Sequence, residues 1–256
     1  MKDMKKNIYP QLLERFIEET KNIRSGYPYA PFIPHVFSNY KKADTKIFYF
    51  GRDTYYWLEE TELTNNNIEE YILKNSKVVN PSEHITLYKN NTNSFWVFIA
   101  QLHFFIKHGE MITNFTEFTQ EQTDSLNEIG YGNLHAIEVP KSLQSEGVWT
   151  DINPIEYTKL VQKSDFLNRI KYVLDIWEPD FIFILSWENY LEIFNGLEYE
   201  QLPEWYEDNF RAVYKIKGYK TKIIWTSHPR RFSFLGSNSQ TMVKYLAKTM
   251  YNLKQM

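Results

Sequence analysis

The chain has no cysteine in its 256 residues. That excludes disulfides, thiolate-held zinc, iron–sulfur clusters and a cysteine nucleophile. Glycine is scarce, at 9. Neither a Walker loop nor a Gly-x-Gly-x-x-Gly fingerprint occurs, which disfavours nucleoside-triphosphate and dinucleotide binding. The Gly-x-Ser-x-Gly elbow of α/β-hydrolases is missing too. Of the 6 histidines, His103 and His108 share one expected helix but not the i, i+4 spacing that aligns two metal ligands, so no metal or cofactor is expected. There is no basic excess: 29 Lys and Arg stand against 32 Asp and Glu, a net charge of −3. A non-specific nucleic-acid coat protein is usually far more basic. No apolar run is long enough to span a bilayer. The richest, Phe95 to Ile106, is broken by Gln101 and His103. The basic start, Met1-Lys2-Asp3-Met4-Lys5-Lys6-Asn7, is not followed by an apolar stretch. No secretory signal and no membrane contact are therefore expected, and the cytoplasm is the default location.

What is present is a core. Hydrophobic residues make up 43% of the chain and aromatics 17%, enough for one α/β domain over residues 1–256. The spacing predicts a first helix from Pro10 to Lys21, then a turn-rich segment with Pro28, Pro31 and Pro34 that forbids regular helix. Together, residues 1–40 are expected to pack on the rest. Lys46 to Phe50 reads as a strand ended by Gly51, and Ile68 to Lys74 as a helix. Phe95 to Lys107 is a buried helix capped by Asn93 or Ser94 and stopped by Gly109. Leu134 to Val139 reads as the second strand, bounded by Gly132-Asn133 and Pro140. A long helix from Ile155 to Trp177 ends at Glu178-Pro179. The unbroken run Asp180 to Leu185 is what a strand covered on both faces requires. A short helix, Glu188 to Phe194, follows. Ala212 to Ile216 and Lys222 to Trp225 flank Lys217-Gly218-Tyr219 as a hairpin, and Ser239 to Leu253 is a closing helix. Alternating strands and helices predict a three-layer α/β/α fold around a central, mostly parallel four-stranded sheet. Ligands of such sheets bind at the carboxyl ends of the strands.

Two loops at those ends are rich in chemistry. After the first strand come Gly51-Arg52-Asp53-Thr54-Tyr55-Tyr56-Trp57. After the last come Thr226-Ser227-His228-Pro229-Arg230-Arg231-Phe232-Ser233-Phe234-Leu235-Gly236. These residues resemble the uracil-DNA glycosylase superfamily. Gly51 to Tyr56 is similar to that family's G-Q-D-P-Y-H motif, and His228 to Ser233 to its H-P-S-P-L-S motif. Both follow a strand, in the family's order. Asn133 is the best match to the asparagine that reads the base edge.

The resemblance implies a metal-independent, monofunctional enzyme, acting as a monomer. It would hydrolyse the N-glycosidic bond of uracil or another deaminated or modified base flipped out of single- or double-stranded DNA. By position in the motifs, the Asp53 carboxylate would stabilise the oxocarbenium-like sugar and activate water. His228 would donate to the departing base. Gly51, Arg52, Tyr55, Tyr56 and Asn133 would surround the base, with Tyr55 closing the pocket against a C5 methyl group. Arg230, Arg231 and Ser233 would hold phosphates, and Phe232 would wedge into the gap left by flipping. Arg52, Thr54 and Tyr56 depart from the first motif, and Arg230 and Arg231 from the last. The stacking Phe-Ser pair expected shortly after the first motif has no counterpart, leaving Tyr56 or Trp57 for that role.

Each residue also has a plainer reading. Asp53 suits a cap after a strand, Asn133 a turn beside Gly132, and His228 a satisfied structural position. Arg230 and Arg231 suit a solvated pair. Phe232, Phe234 and Leu235 suit a loop folded inward. Tyr55, Tyr56 and Trp57 suit ordinary packing in a chain with 19 tyrosines and 7 tryptophans. Two other classes of function stand beside the enzyme. One is a catalytically inactive relative whose cleft binds a nucleobase, nucleotide or nucleic acid. The other is an interaction or defence protein presenting the aromatic segments Tyr27 to Phe37 and Glu198 to Phe210.

Overall fold

The computed structural model describes residues 13–14, 17–18, 33–53, 64–70, 95–114, 118–135, 169–186, 191–202 and 211–256. For Arg52, Asp53, His135, Glu192 and Arg211 it describes the backbone alone. Seven strands form one sheet: β1 (His35–Val36), β2 (Ile47–Asp53), β3 (Ile129–His135), β4 (Phe181–Leu185), β5 (Tyr199–Gln201), β6 (Arg211–Ile216) and β7 (Lys222–Thr226). Their order is β1-β3-β2-β4-β7-β6-β5. β3, β2, β4 and β7 are adjacent and parallel. The sheet is nevertheless seven-stranded rather than four-stranded. β1 adds antiparallel to β3, and β6 and β5 extend the other side in antiparallel pairs. The short edge strands carry little hydrophobic pattern of their own, and backbone pairing recruits them. All three residues of β5 are exposed.

β4 is the middle strand, and all five of its residues are buried, as its continuous apolar run predicts. Strand residues alternate between two hydrophobic clusters. Phe48, Phe50, Ile182, Ile184, Ile223 and Trp225 join one, with Ile170, Val173 and Leu174 of helix α3 (Arg169–Trp177). Leu13 also belongs to that cluster. Ile47, Tyr49, Phe181, Phe183, Leu185 and Ile224 join the other. There they meet helix α1 (Phe95–His108), Leu126 of helix α2 (Gln120–Leu126), and helix α4 (Ser239–Gln255).

Local signals set the helix ends. Gly109, at φ +73°, stops α1 and donates its N–H to Phe105 O at 2.8 Å. Thr119 and Gln122 form a reciprocal capping box on α2. Asn238 caps α4 through Thr241 N at 2.9 Å. Asp180 ties three strands together at their amino ends. Its carboxylate accepts from Lys46 N and from Lys220 Nζ, and its carbonyl from Lys222 N.

The second strand begins earlier than its sequence suggests. β3 starts at Ile129 and runs through Gly130, Gly132 and Asn133, so Asn133 is a strand residue, not a turn. Glycine normally weakens a strand, but here a side chain has no room. A Cβ at Gly130 would stand 2.1 Å from Phe48 Cδ2, and one at Gly132 3.0 Å from Phe50 Cε1. The two rings lie over β3 because it is bare there. β2 likewise continues past Gly51 to Asp53, which pairs with His135 in the ladder.

The hairpin of β6 and β7 forms as expected, with Gly218 at φ +84° in its turn. Of the expected helix from Ile155 to Trp177, the described part is α3. Residues 136–168 lie outside the described set. Among the described residues, no helix is long and apolar enough to cross a membrane.

Candidate functional site

The carboxyl ends of the parallel strands gather the predicted residues that the structure describes. Gly51 of β2 pairs directly with Asn133 of β3. The Asn133 side chain is fully buried, and its Oδ1 accepts from Tyr131 Oη at 2.8 Å. Among the described residues, its buried Nδ2 has no hydrogen-bond partner. Gly51 is required by this amide, because a Cβ there would stand 2.6 Å from Asn133 Oδ1 and 3.2 Å from Phe95 Cζ.

Phe95, the first residue of α1, is the hub. Its ring stacks on His228 with centroids 6.1 Å apart and planes 23° apart. It also meets Tyr131 edge-on at 5.7 Å. Residues from β2, β3, α1 and the segment after β7 are thus joined around one aromatic ring.

His228 caps the short turn Pro229–Arg231, its Nδ1 accepting from Arg230 N at 3.2 Å. With Nδ1 occupied as an acceptor, the neutral ring carries its proton on Nε2. A second turn, Ser233–Leu235, follows and ends at Gly236 with φ +74°. Ser237 N and Leu235 N both donate to Phe232 O, closing the knuckle.

The knuckle corrects one expectation. Phe232 does not project as a wedge: it is fully buried, edge-on to Phe98 of α1 at 5.0 Å. The 3₁₀ geometry turns Pro229 and Phe232 inward. Arg230, Arg231, Ser233 and Phe234 face outward, and Phe234 is 84% exposed.

Asp53 and Arg52 enter the site as backbone positions at the end of β2. Tyr55, Tyr56 and Trp57 lie outside the described residues. Phe95 and Tyr131 are the site residues that sequence reasoning missed. Tyr131 was findable, since a side chain two residues before Asn133 in a strand shares its face. Phe95 carried no local signal, because its place depends on where α1 begins relative to β2 and β3. Ser186 and Thr226, buried at the ends of β4 and β7, are further polar groups at this end of the sheet. Thr226 O accepts from Ser186 N at 3.0 Å.

Two other histidines are withdrawn from water, His103 fully and His35 in part. Burial lowers His103 from its ordinary 6.5 to about 3, with Lys107 and His108 adding to the effect. Burial lowers His35 to about 4, partly offset by its bond to the Ile33 carbonyl. Tyr49, stacked on Phe183, reaches His103 Nδ1 at 3.3 Å, and burial raises its phenol well above 10. Among the described residues, no group of three or more His, Asp or Glu side chains is placed to hold a metal ion.

Comparison of the chain with protein-family models, with curated proteins and with solved structures returned no match.

Proposed function

We propose that the protein is a uracil-DNA glycosylase-like N-glycosyl hydrolase that releases a deaminated or modified base from DNA. The observation that carries this reading is the convergence of Gly51, Asn133 and His228 around Phe95 at the carboxyl ends of adjacent parallel strands. The two motifs that define this resemblance are far apart in sequence. In this reading the strands β3-β2-β4-β7 are the centre of a three-layer α/β/α domain, and β1, β5 and β6 are additions.

The flipped base enters beside Phe95, with the buried amide of Asn133 at its edge. The bond from the base nitrogen to the anomeric carbon breaks, and the base keeps the electron pair. His228 Nε2–H donates to a base carbonyl and stabilises that charge. The Asp53 carboxylate balances the oxocarbenium character and takes a proton from the water that adds to the anomeric carbon. The released base is then protonated from solvent. Arg230, Arg231 and Ser233 contact phosphates. Phe234 is the exposed aromatic of the knuckle, and it takes the wedge role expected of Phe232.

The test is base release under single-turnover conditions. Labelled single- and double-stranded oligonucleotides carry uracil, hypoxanthine, xanthine or undamaged bases, and alkali cleaves the abasic product. Asp53→Asn and His228→Ala should each slow release by about a hundredfold or more. Release that neither substitution changes would overturn the mechanism. A cleft that binds bases without turnover, the reading favoured by the altered motif positions Arg52, Thr54 and Tyr56, would show binding and no cleavage on any substrate.

A further inference from the structure

The orientation of the Asn133 amide goes further than the reading on which it rests. We infer that the Tyr131–Asn133 pair makes this site selective for a base edge that offers only acceptors, as the O6/N7 edge of a 6-oxopurine does. The O4/N3–H edge of uracil or thymine is disfavoured. A free asparagine amide offers a donor and an acceptor side by side and matches the acceptor–donor edge of a pyrimidine. Here one lone pair of the acceptor half is taken, and the Gly51 backbone crowds the oxygen. Tyr131 Oη donates to Asn133 Oδ1 at 2.8 Å, and both residues are buried.

The backbone of Gly51 fixes the same orientation independently. The direction in which a Cβ would meet Oδ1 at 2.6 Å is filled by a Gly51 Cα hydrogen. A C–H facing an amide oxygen is a weak attraction, whereas facing an amide N–H it is a repulsion. Turning the amide over would therefore place N–H against C–H at Gly51. What remains for a ligand is Nδ2, a fully buried donor without a partner among the described residues. A buried donor left unmade is costly, so an acceptor brought by a ligand is strongly rewarded. The N3–H of uracil would meet no acceptor on this amide, and its own burial would then be uncompensated. A 6-oxopurine brings O6 and N7, both acceptors, and no N–H at that edge.

The experiment measures base binding rather than turnover. The full chain is titrated with 9-methylhypoxanthine, 9-methyl-7-deazahypoxanthine and 1-methyluracil, whose methyl groups fix the tautomers. The purine should bind about tenfold or more tighter than 1-methyluracil, and replacing N7 by C–H should remove about tenfold. Tyr131→Phe frees Oδ1, so the purine-to-uracil ratio should fall towards one while the aromatic packing remains. The deaza comparison needs no variant, so it stands even if Tyr131→Phe fails to fold. Equal or reversed affinities in the wild type overturn the inference, as does a ratio that Tyr131→Phe leaves unchanged, or no binding of any base. Selective purine binding without base release would instead overturn the enzymatic reading and leave this one standing.

Discussion

Phe232 packs its ring against Phe98 in the core, while Phe234, two positions on, stands 84% exposed on the same knuckle. The two should separate cleanly on substitution. Phe232→Ala should lower stability in urea by about 3–5 kcal/mol, the usual cost of emptying a buried aromatic site. Phe234→Ala should change stability by less than about 0.5 kcal/mol, yet weaken binding to oligonucleotides in the same buffer. The Phe-Ser-Phe run alone did not say which ring faces in, because that depends on the phase of a short 3₁₀ turn. Residue type carried more where chemistry restricts the choice. Gly51, Asn133 and His228 stand out in the sequence by residue type, and the fold brings them together around Phe95, although Gly51 lies within β2 rather than turning the chain off it. Phe95 does not: one aromatic among 18 phenylalanines acquires meaning only when α1 is laid beside β2 and β3.

At the scale of elements, continuous patterns were readable and compensated ones were not. β4 announces itself as an apolar run, and α4 as an apolar stripe through Met242, Val243, Leu246, Ala247, Met250 and Leu253, all buried. β3 hid its first half behind Gly130 and Gly132, whose bareness makes sense only beneath the rings of Phe48 and Phe50. Helix α2, Gln-Glu-Gln-Thr-Asp-Ser-Leu, is too polar to show a stripe. Its one signal is the capping box of Thr119 and Gln122. Thr119→Ala should therefore cost about 1 kcal/mol. The loss should appear as faster amide exchange confined to α2, and uniform exchange across α2 and α4 would contradict it.

For the whole molecule, buried His103 and half-buried His35, whose Nε2 is shielded from solvent, set a response to acid. Unfolded, His35 and His103 take up a proton near the ordinary 6.5. Folded, they do so only near 4 and 3. Between those values the unfolded chain binds more protons, so stability is full above pH 6.5 and falls as the pH drops towards 4. The slope is up to about 1.4 kcal/mol per pH unit for each group. Urea midpoints from pH 7 to pH 4.5 should fall accordingly, and His103→Gln should flatten the decline. A midpoint independent of pH over that range would contradict the lowered titration of both rings.

The position of β4 between β2 and β7 also has a consequence in time. A ribosome delivers β4 well before its second neighbour. Until Lys222–Thr226 emerges, one flank of a strand apolar on both faces offers open N–H and C=O groups, the template to which other chains add. The nascent protein is thus most exposed to pairing with its neighbours in that interval, and a stop codon ahead of residue 222 would leave a sticky fragment in place of a fold.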